Sequence, residues 1–230
     1  MKINDLIVFL IFAGLFLPFI LSDTLYLAYI ALNTKYGILS SFVKFGILAT
    51  LGELIGLRIK TGYYTKPGFG IFPKAVIWGT LGITIKLAFI IFTTGSISIL
   101  QSFGYTNAGS VFSGNIMPEK IAIAFLISTL MNLIYAPMLM TMHKITDVHI
   151  ETYKGAVISL VKPVAMGKIL ASINWQVQWD FVFKRTIPLF WIPAHTITFL
   201  LPPDFQVLFA ALLGIILGII MAIASIKTKK

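Results

Sequence analysis

Several polar side chains stand inside otherwise apolar runs, and their types are those that move protons, ions or small polar solutes. Lys86, Asn132 and His195 lie near the middle of three such runs, with Thr198 one turn beyond His195. Lys44 and Glu53, together with Asp23, fall nearer the ends of theirs. A charge placed in hydrocarbon costs about 2.5–3.5 kcal/mol on insertion scales, so such a residue persists where a partner or water receives it. One reading puts Lys86, Asn132 and His195 at a shared depth, lining a conduit or binding site for a small solute, with Thr198 beside them and Glu53 and Lys44 toward the mouths. A fixed lysine in a narrow pathway favours anions. The other reading is structural: Lys44 snorkels or pairs with Asp23, Glu53 sits at an edge, and Asn132 bonds a neighbouring helix.

A second constellation occupies the run HKITDVHIE, where His143 and Asp147 share a helix face and His149 and Glu151 follow. His143, Asp147 and His149 are the candidate metal ligands, although this run alone does not complete a coordination shell. Its default role is to end a helix at the membrane interface, and the expectation is that no metal is bound. There is no His-Glu-x-x-His pair, no phosphate-cradling glycine loop and no Gly-x-Ser-x-Gly elbow. The chain has no cysteine, which excludes disulfides, thiolate catalysis and iron-sulfur ligation. Neither enzymatic activity nor a cofactor is expected.

The elements that position these residues follow from composition. The 230 residues are 58% hydrophobic and 11% charged, against roughly 45–50% and 25% in soluble domains. Such a chain is an integral membrane protein. Apolar runs at 5–32, 38–57, 75–94, 120–142, 186–201 and 205–226 predict an all-α, polytopic bundle of about six transmembrane helices, forming a single domain over 1–230. The first run has no small-x-small cleavage site and is expected to be retained, with Pro18 as a bend. Residues 143–185 are too polar to span. Their apolar positions, a break at Pro163 and the fourfold spacing of Trp175, Trp179 and Phe183 predict an amphipathic interfacial segment.

Charge then orients the chain. The formal net charge is +10. With six spans, one side receives Lys2, the 58–74 loop, the 143–185 loop and the tail with Lys227, Lys229 and Lys230, while the other receives only Lys35 and Lys120. The positive-inside rule makes the basic side cytoplasmic and puts both termini there. The basic loops are expected to face anionic lipids of the bilayer rather than nucleic acid. Small residues Ala210, Gly214, Gly218 and Ala222 recur every fourth position, and Gly52 and Gly56 form a second such pair. These stripes allow close helix packing, within one chain or in a homo-oligomer.

Scattered residues over 52–203 match the spacing of a known family. Gly52-Glu53 stands where that family has Gly-Asp; Pro73, Trp78 and Leu81 keep its next spacing, with Gly79 in place of a tyrosine. Met131-Asn132 followed by Ala136-Pro137 keeps the amide of an Asp-Gln…Ala-Pro motif and loses the acid. Trp191, His195, Thr198, Phe199 and Pro203 fall at the spacing of Trp-Pro-x-x-Gln-x-x-Asn-Phe-x-x-x-Pro, with the first proline moved to Pro193 and Gln206-Val207 where an arginine is usual. In these residues the chain resembles the Mpv-type family of small mitochondrial and peroxisomal membrane proteins. The resemblance implies a multi-span protein proposed in that family to form a channel for small solutes, with no enzymatic role. The additional first span fits a prokaryotic plasma membrane better than an organelle. The expected function is therefore a channel or passive transporter for an unidentified small solute, and the alternative is a structural or assembly protein without a pathway.

Overall fold

The structure, a computed structural model, describes residues 3–227. It is all-helical, with no strand among the described residues. Lys2, Lys229 and Lys230, assigned above to the basic side, lie outside the described residues. The chain divides into two compact units, Met1–Ser40 and Ser41–Lys230.

In the first unit, α1 (Ile3–Leu21) continues through Pro18, and Ser22 separates it from α2 (Asp23–Thr61). The expected continuous run 5–32 is thus two helices. The cause is a capping signal inside an apolar run: the Ser22 hydroxyl accepts from the Leu25 N–H, and Asp23 in the first turn complements the helix dipole. The loop expected around Lys35 is instead a kink, where Tyr36 takes φ −128°, ψ 40° just before Gly37 while helical hydrogen bonding resumes beyond.

The second unit holds the rest of α2, then α3 (Ile71–Ser102), the short α4 (Ala108–Ser113), α5 (Pro118–Thr152), a 3₁₀ turn (Val157–Leu160), α6 (Met166–Ser172), α7 (Trp175–Val177), a π-helical stretch (Gln178–Trp191), α8 (Ile192–Leu200) and α9 (Pro203–Lys227). Among the described residues, four helices are long and apolar enough to cross a membrane: Asp23–Thr61, Ile71–Ser102, Pro118–Thr152 and Pro203–Ile223. Large apolar side chains such as Ile91, Phe125, Leu133 and Ile134 lie exposed on α3 and α5, an arrangement suited to lipid rather than water.

Several boundaries differ from the sequence reading. Helix α5 runs on past 142 to Thr152, so His143–Glu151 belong to its last turns instead of an interfacial loop. The expected break at Pro163 is present between the 3₁₀ turn and α6. The Trp175–Phe183 part of the expected interfacial segment is continuous with the expected fifth span through the π-helical stretch. Pro188 and Pro193 each lack an N–H and crowd the carbonyl four residues back in α geometry. Here the Ile192 N–H reaches the Ile187 carbonyl, five residues back.

Close packing is carried by glycine. A Cβ on Gly46 would lie 2.9 Å from the Ala75 carbonyl oxygen, and one on Gly82 would meet Phe45 Cβ at 2.5 Å. Gly79 has its space filled by the Phe42 ring, whose atoms would be 2.7–2.8 Å from a Cβ. On another face of α2, Gly52 meets the Ile215 backbone, and Gly56 and Gly218 each approach a glycine carbonyl across the α2–α9 contact. The Gly52/Gly56 pair and the Gly218 end of the α9 stripe are therefore used within the chain, Ala210 and Ala222 are buried, and Gly214 faces open space.

Candidate functional site

Helices α3 and α5 run antiparallel and exchange polar contacts along their length. Lys74 at the start of α3 meets Asp147 near the end of α5. One turn on, the Trp78 ring lies 4.2 Å from that of His143. Further along, the Thr84 hydroxyl is 2.7 Å from the Tyr135 hydroxyl. Ser128, Asn132 and Tyr135, and after a gap at Leu139 His143 and Asp147, are spaced three or four residues apart and so fall along one side of α5 as an interrupted polar stripe.

At one end the stripe gathers charge. Lys74 is buried to 5% exposure; its Nζ lies 2.7 Å from Glu53 Oε2 and also donates to Asp147 Oδ1. Glu53 Oε1 accepts from Trp78 Nε1 at 2.6 Å and lies 3.3 Å from His143 Nε2. The cluster ties α2, α3 and α5 together. Two carboxylates share one ammonium, and the His143 imidazole lies beside both.

This geometry revises three readings. Lys74, counted among the loop charges, is instead a buried partner in the first turn of α3. Glu53 supplies from α2 the third donor that the HKITDVHIE run lacked, since ligand atoms of Glu53, His143 and Asp147 lie within 4.8 Å of one another. Among the described residues these three form a group able to hold a metal ion, and the Lys74 ammonium already occupies the cation position between the carboxylates. His149 takes no part: its Nε2 is 3.0 Å from the Ser159 carbonyl oxygen.

The interior end of the stripe meets α8. Asn132 is fully buried, and its Oδ1 lies 3.1 Å from His195 Nδ1. Its Nδ2 donates to the Ser128 carbonyl at 2.8 Å and to Ser128 Oγ at 3.2 Å, and that hydroxyl donates to the Ile192 carbonyl at 2.7 Å. The His195 ring stacks on Trp191, with centroids 5.1 Å apart, and meets Phe89 edge-on at 5.8 Å. Thr198 is buried and bonds back to the Ala194 carbonyl, which leaves it a helix-internal partner. Lys86 does not join this pair through a direct bond. It lies half-buried on α3 and acts electrostatically on Lys44 of α2, as Asp204 of α9 also does.

The structure thus brings Asn132 to His195 and Glu53 to His143 and Asp147. Sequence reasoning missed Lys74, Ser128, Tyr135 with Thr84, and the stacking of Trp191 on His195. Ser128 was findable, being one turn before Asn132 on the same face. No family model matches the chain, and no curated protein or solved structure matches it.

Proposed function

We propose that the chain is an integral membrane protein that conducts small solutes along the polar stripe of α5. The carrying observation is the stripe itself: five polar side chains along one side of a helix long enough to span, ending in a charged cluster at one end and a buried Asn132–His195 pair inside. In this reading six segments cross the bilayer, α1, α2, α3, α5, Gln178–Leu200 and α9, in a prokaryotic plasma membrane. Both termini and the Glu53–Lys74 cluster face the cytoplasm. Basic residues of the 154–177 connection contact anionic lipid headgroups. The Mpv-type resemblance supports the same reading through Glu53, Trp78, Asn132 and His195, all of which lie in the two polar clusters.

Lys44 and Lys86, opposed by Asp204, give the pathway an excess of positive charge and hence a preference for anions. No catalytic step is assigned to the charged cluster, because the Lys74 ammonium already sits between the carboxylates that would hold a metal. The scaffold alternative draws on the small-residue stripe, of which Gly218 is taken up against α2 and Gly214 alone faces open space.

The test is efflux of small anions, cations and neutral solutes from liposomes, comparing the unmodified protein with Lys86→Ala/His195→Ala. Flux that favours anions and falls in the double variant is expected. Folded, oriented protein without flux would refute the pathway and leave the scaffold.

A further inference from the structure

The connection that leads from α5 to the π-helical stretch has two unlike sides. Its inner side is packed on α5, where Ile169 and Ile173 form one buried cluster with Ile145, and Val148 and Leu170 pack against it. His149 Nε2, 3.0 Å from the Ser159 carbonyl oxygen, fastens the 3₁₀ turn to the same helix. At the start of the connection a Cβ on Gly155 would stand 2.5 Å from the Gly70 nitrogen, so the chain is also held against the beginning of α3. An element fastened at three points presents a fixed outer side rather than a fluctuating loop.

That outer side is apolar. Val157, Ile158, Val161, Val164 and Met166 are all exposed, Val161 to 77%. Further along, Trp175, Val177 and Trp179 are exposed as well. The Trp175 Nε1–H donates to the Leu170 carbonyl at 3.0 Å, so the polar group of this ring is satisfied within the chain and what remains exposed is hydrocarbon. Large apolar side chains gathered on one outer side mark an interaction surface.

Charge identifies what covers it. Lys154, Lys162 and Lys168 are exposed on the same connection, and no acidic residue occurs between Glu151 and Asp180. Lys162 and Lys168 bracket Val164 and Met166 in sequence, so cationic and apolar groups alternate. Lysine is depleted from the cores of protein interfaces. The boundary of an anionic bilayer answers both kinds of group, since its acyl region takes the apolar side chains while its phosphates take the ammonium groups at the ends of flexible stems. Tryptophan favours the same depth. The connection also starts directly after Thr152, where a helix long enough to span comes to its end.

We infer that the outer side of residues 157–179 is a lipid-binding surface, set into the boundary of the cytoplasmic leaflet and selecting anionic phospholipid through Lys154, Lys162 and Lys168. It deepens the headgroup contact proposed above by placing the apolar side chains in the leaflet, and it rests on the membrane placement of α5 rather than on the solute pathway.

The experiment uses the full chain in lipid nanodiscs, with bimane attached to Val161→Cys or Met166→Cys in a sequence that has no other thiol. Phospholipids brominated in the acyl chain quench from within the leaflet, and iodide, added to phosphatidylcholine nanodiscs, quenches from water. Ile134→Cys, on the exposed apolar face of α5, sets the scale for a label in lipid. Both connection labels should be quenched by brominated lipid and protected from iodide. At equal mole fraction, brominated phosphatidylglycerol should quench more than brominated phosphatidylcholine, with a preference of about fivefold for each lysine engaged. Lys154→Gln/Lys162→Gln/Lys168→Gln should abolish the preference and leave the labels in the leaflet. Labels quenched by iodide and not by brominated lipid would overturn the inference, as would labels shielded from both, which would show a protein partner on this side. Equal quenching by the two lipids, or a preference that survives in the triple variant, would overturn the anionic selection. Labels in the leaflet of a protein that shows no flux would refute the pathway and leave this surface standing; flux with both labels in water would do the reverse.

Discussion

Replacing Lys74 by methionine should be among the most damaging single changes in the chain. The substitution keeps the length of the side chain and removes the ammonium from a position only 5% exposed, between Glu53 and Asp147. Two carboxylates then face one another without their shared cation. Removing one partner of a buried ion pair typically costs about 3–5 kcal/mol. Glu53 and Asp147 retain 21% and 25% exposure, so solvent screens part of the repulsion, and Trp78 and His143 still contact Glu53. The expected loss is therefore about 2–3 kcal/mol, roughly 30- to 150-fold in the folding equilibrium. Glu53→Gln in the same chain removes one of the stranded charges, so the double variant should be less damaged than the sum of the single changes by about 1–2 kcal/mol. Unfolding by dodecyl sulfate in mixed micelles, followed by circular dichroism, measures all four proteins. A Lys74→Met protein within about 0.5 kcal/mol of the original, or strictly additive single changes, would refute the ion-pair reasoning.

Three other consequences follow from packing and hydrogen bonding. Gly79→Ala should destabilise by about 1–3 kcal/mol, because its Cβ would meet the Phe42 ring at 2.7 Å, and Phe42→Ala in the same chain should recover much of the loss in the same unfolding assay. Gly218→Leu should disrupt the monomer through the Gly52 carbonyl 3.5 Å away, while Gly214→Leu, which meets nothing within 4 Å, should unfold normally. Should Gly214→Leu instead break up an oligomer seen by light scattering, the α9 stripe is a docking surface. Tyr135→Phe removes the Thr84 contact and should cost about 1 kcal/mol, read from the shift in unfolding midpoint.

The sequence carried the helical class and the positions of the long apolar elements, because period and length are properties of local runs. Where helices stop was harder to read. Ser22 ends α1 by a cap that two residues encode inside an uninterrupted apolar stretch, and α5 runs on through His143–Glu151 although those residues are polar enough to suggest a loop. The site was legible where a polar residue stood alone in an apolar run, as with Asn132 and His195. It was illegible where the meaning of a residue depended on a distant partner. Lys74 looks like any basic residue near a helix start, and only the approach of α2 and α5 turns it into a buried ion-pair partner. Likewise Gly79 reads as an ordinary small residue in an apolar run until the Phe42 ring is seen filling the space beside it.

The most direct test of the pathway is water accessibility along α5. The chain contains no cysteine, so single substitutions report without background. Ser128→Cys and Tyr135→Cys lie on the polar stripe, Ile134→Cys on the exposed apolar face, and Lys154→Cys in an exposed connection that proves the reagent active. Each protein in liposomes is treated with a charged, membrane-impermeant methanethiosulfonate. Modification of Lys154→Cys, Ser128→Cys and Tyr135→Cys but not Ile134→Cys, slowed at the stripe by a conducted solute, is the expected result. A stripe that stays unreactive while Lys154→Cys is fully modified would contradict a solute pathway along α5.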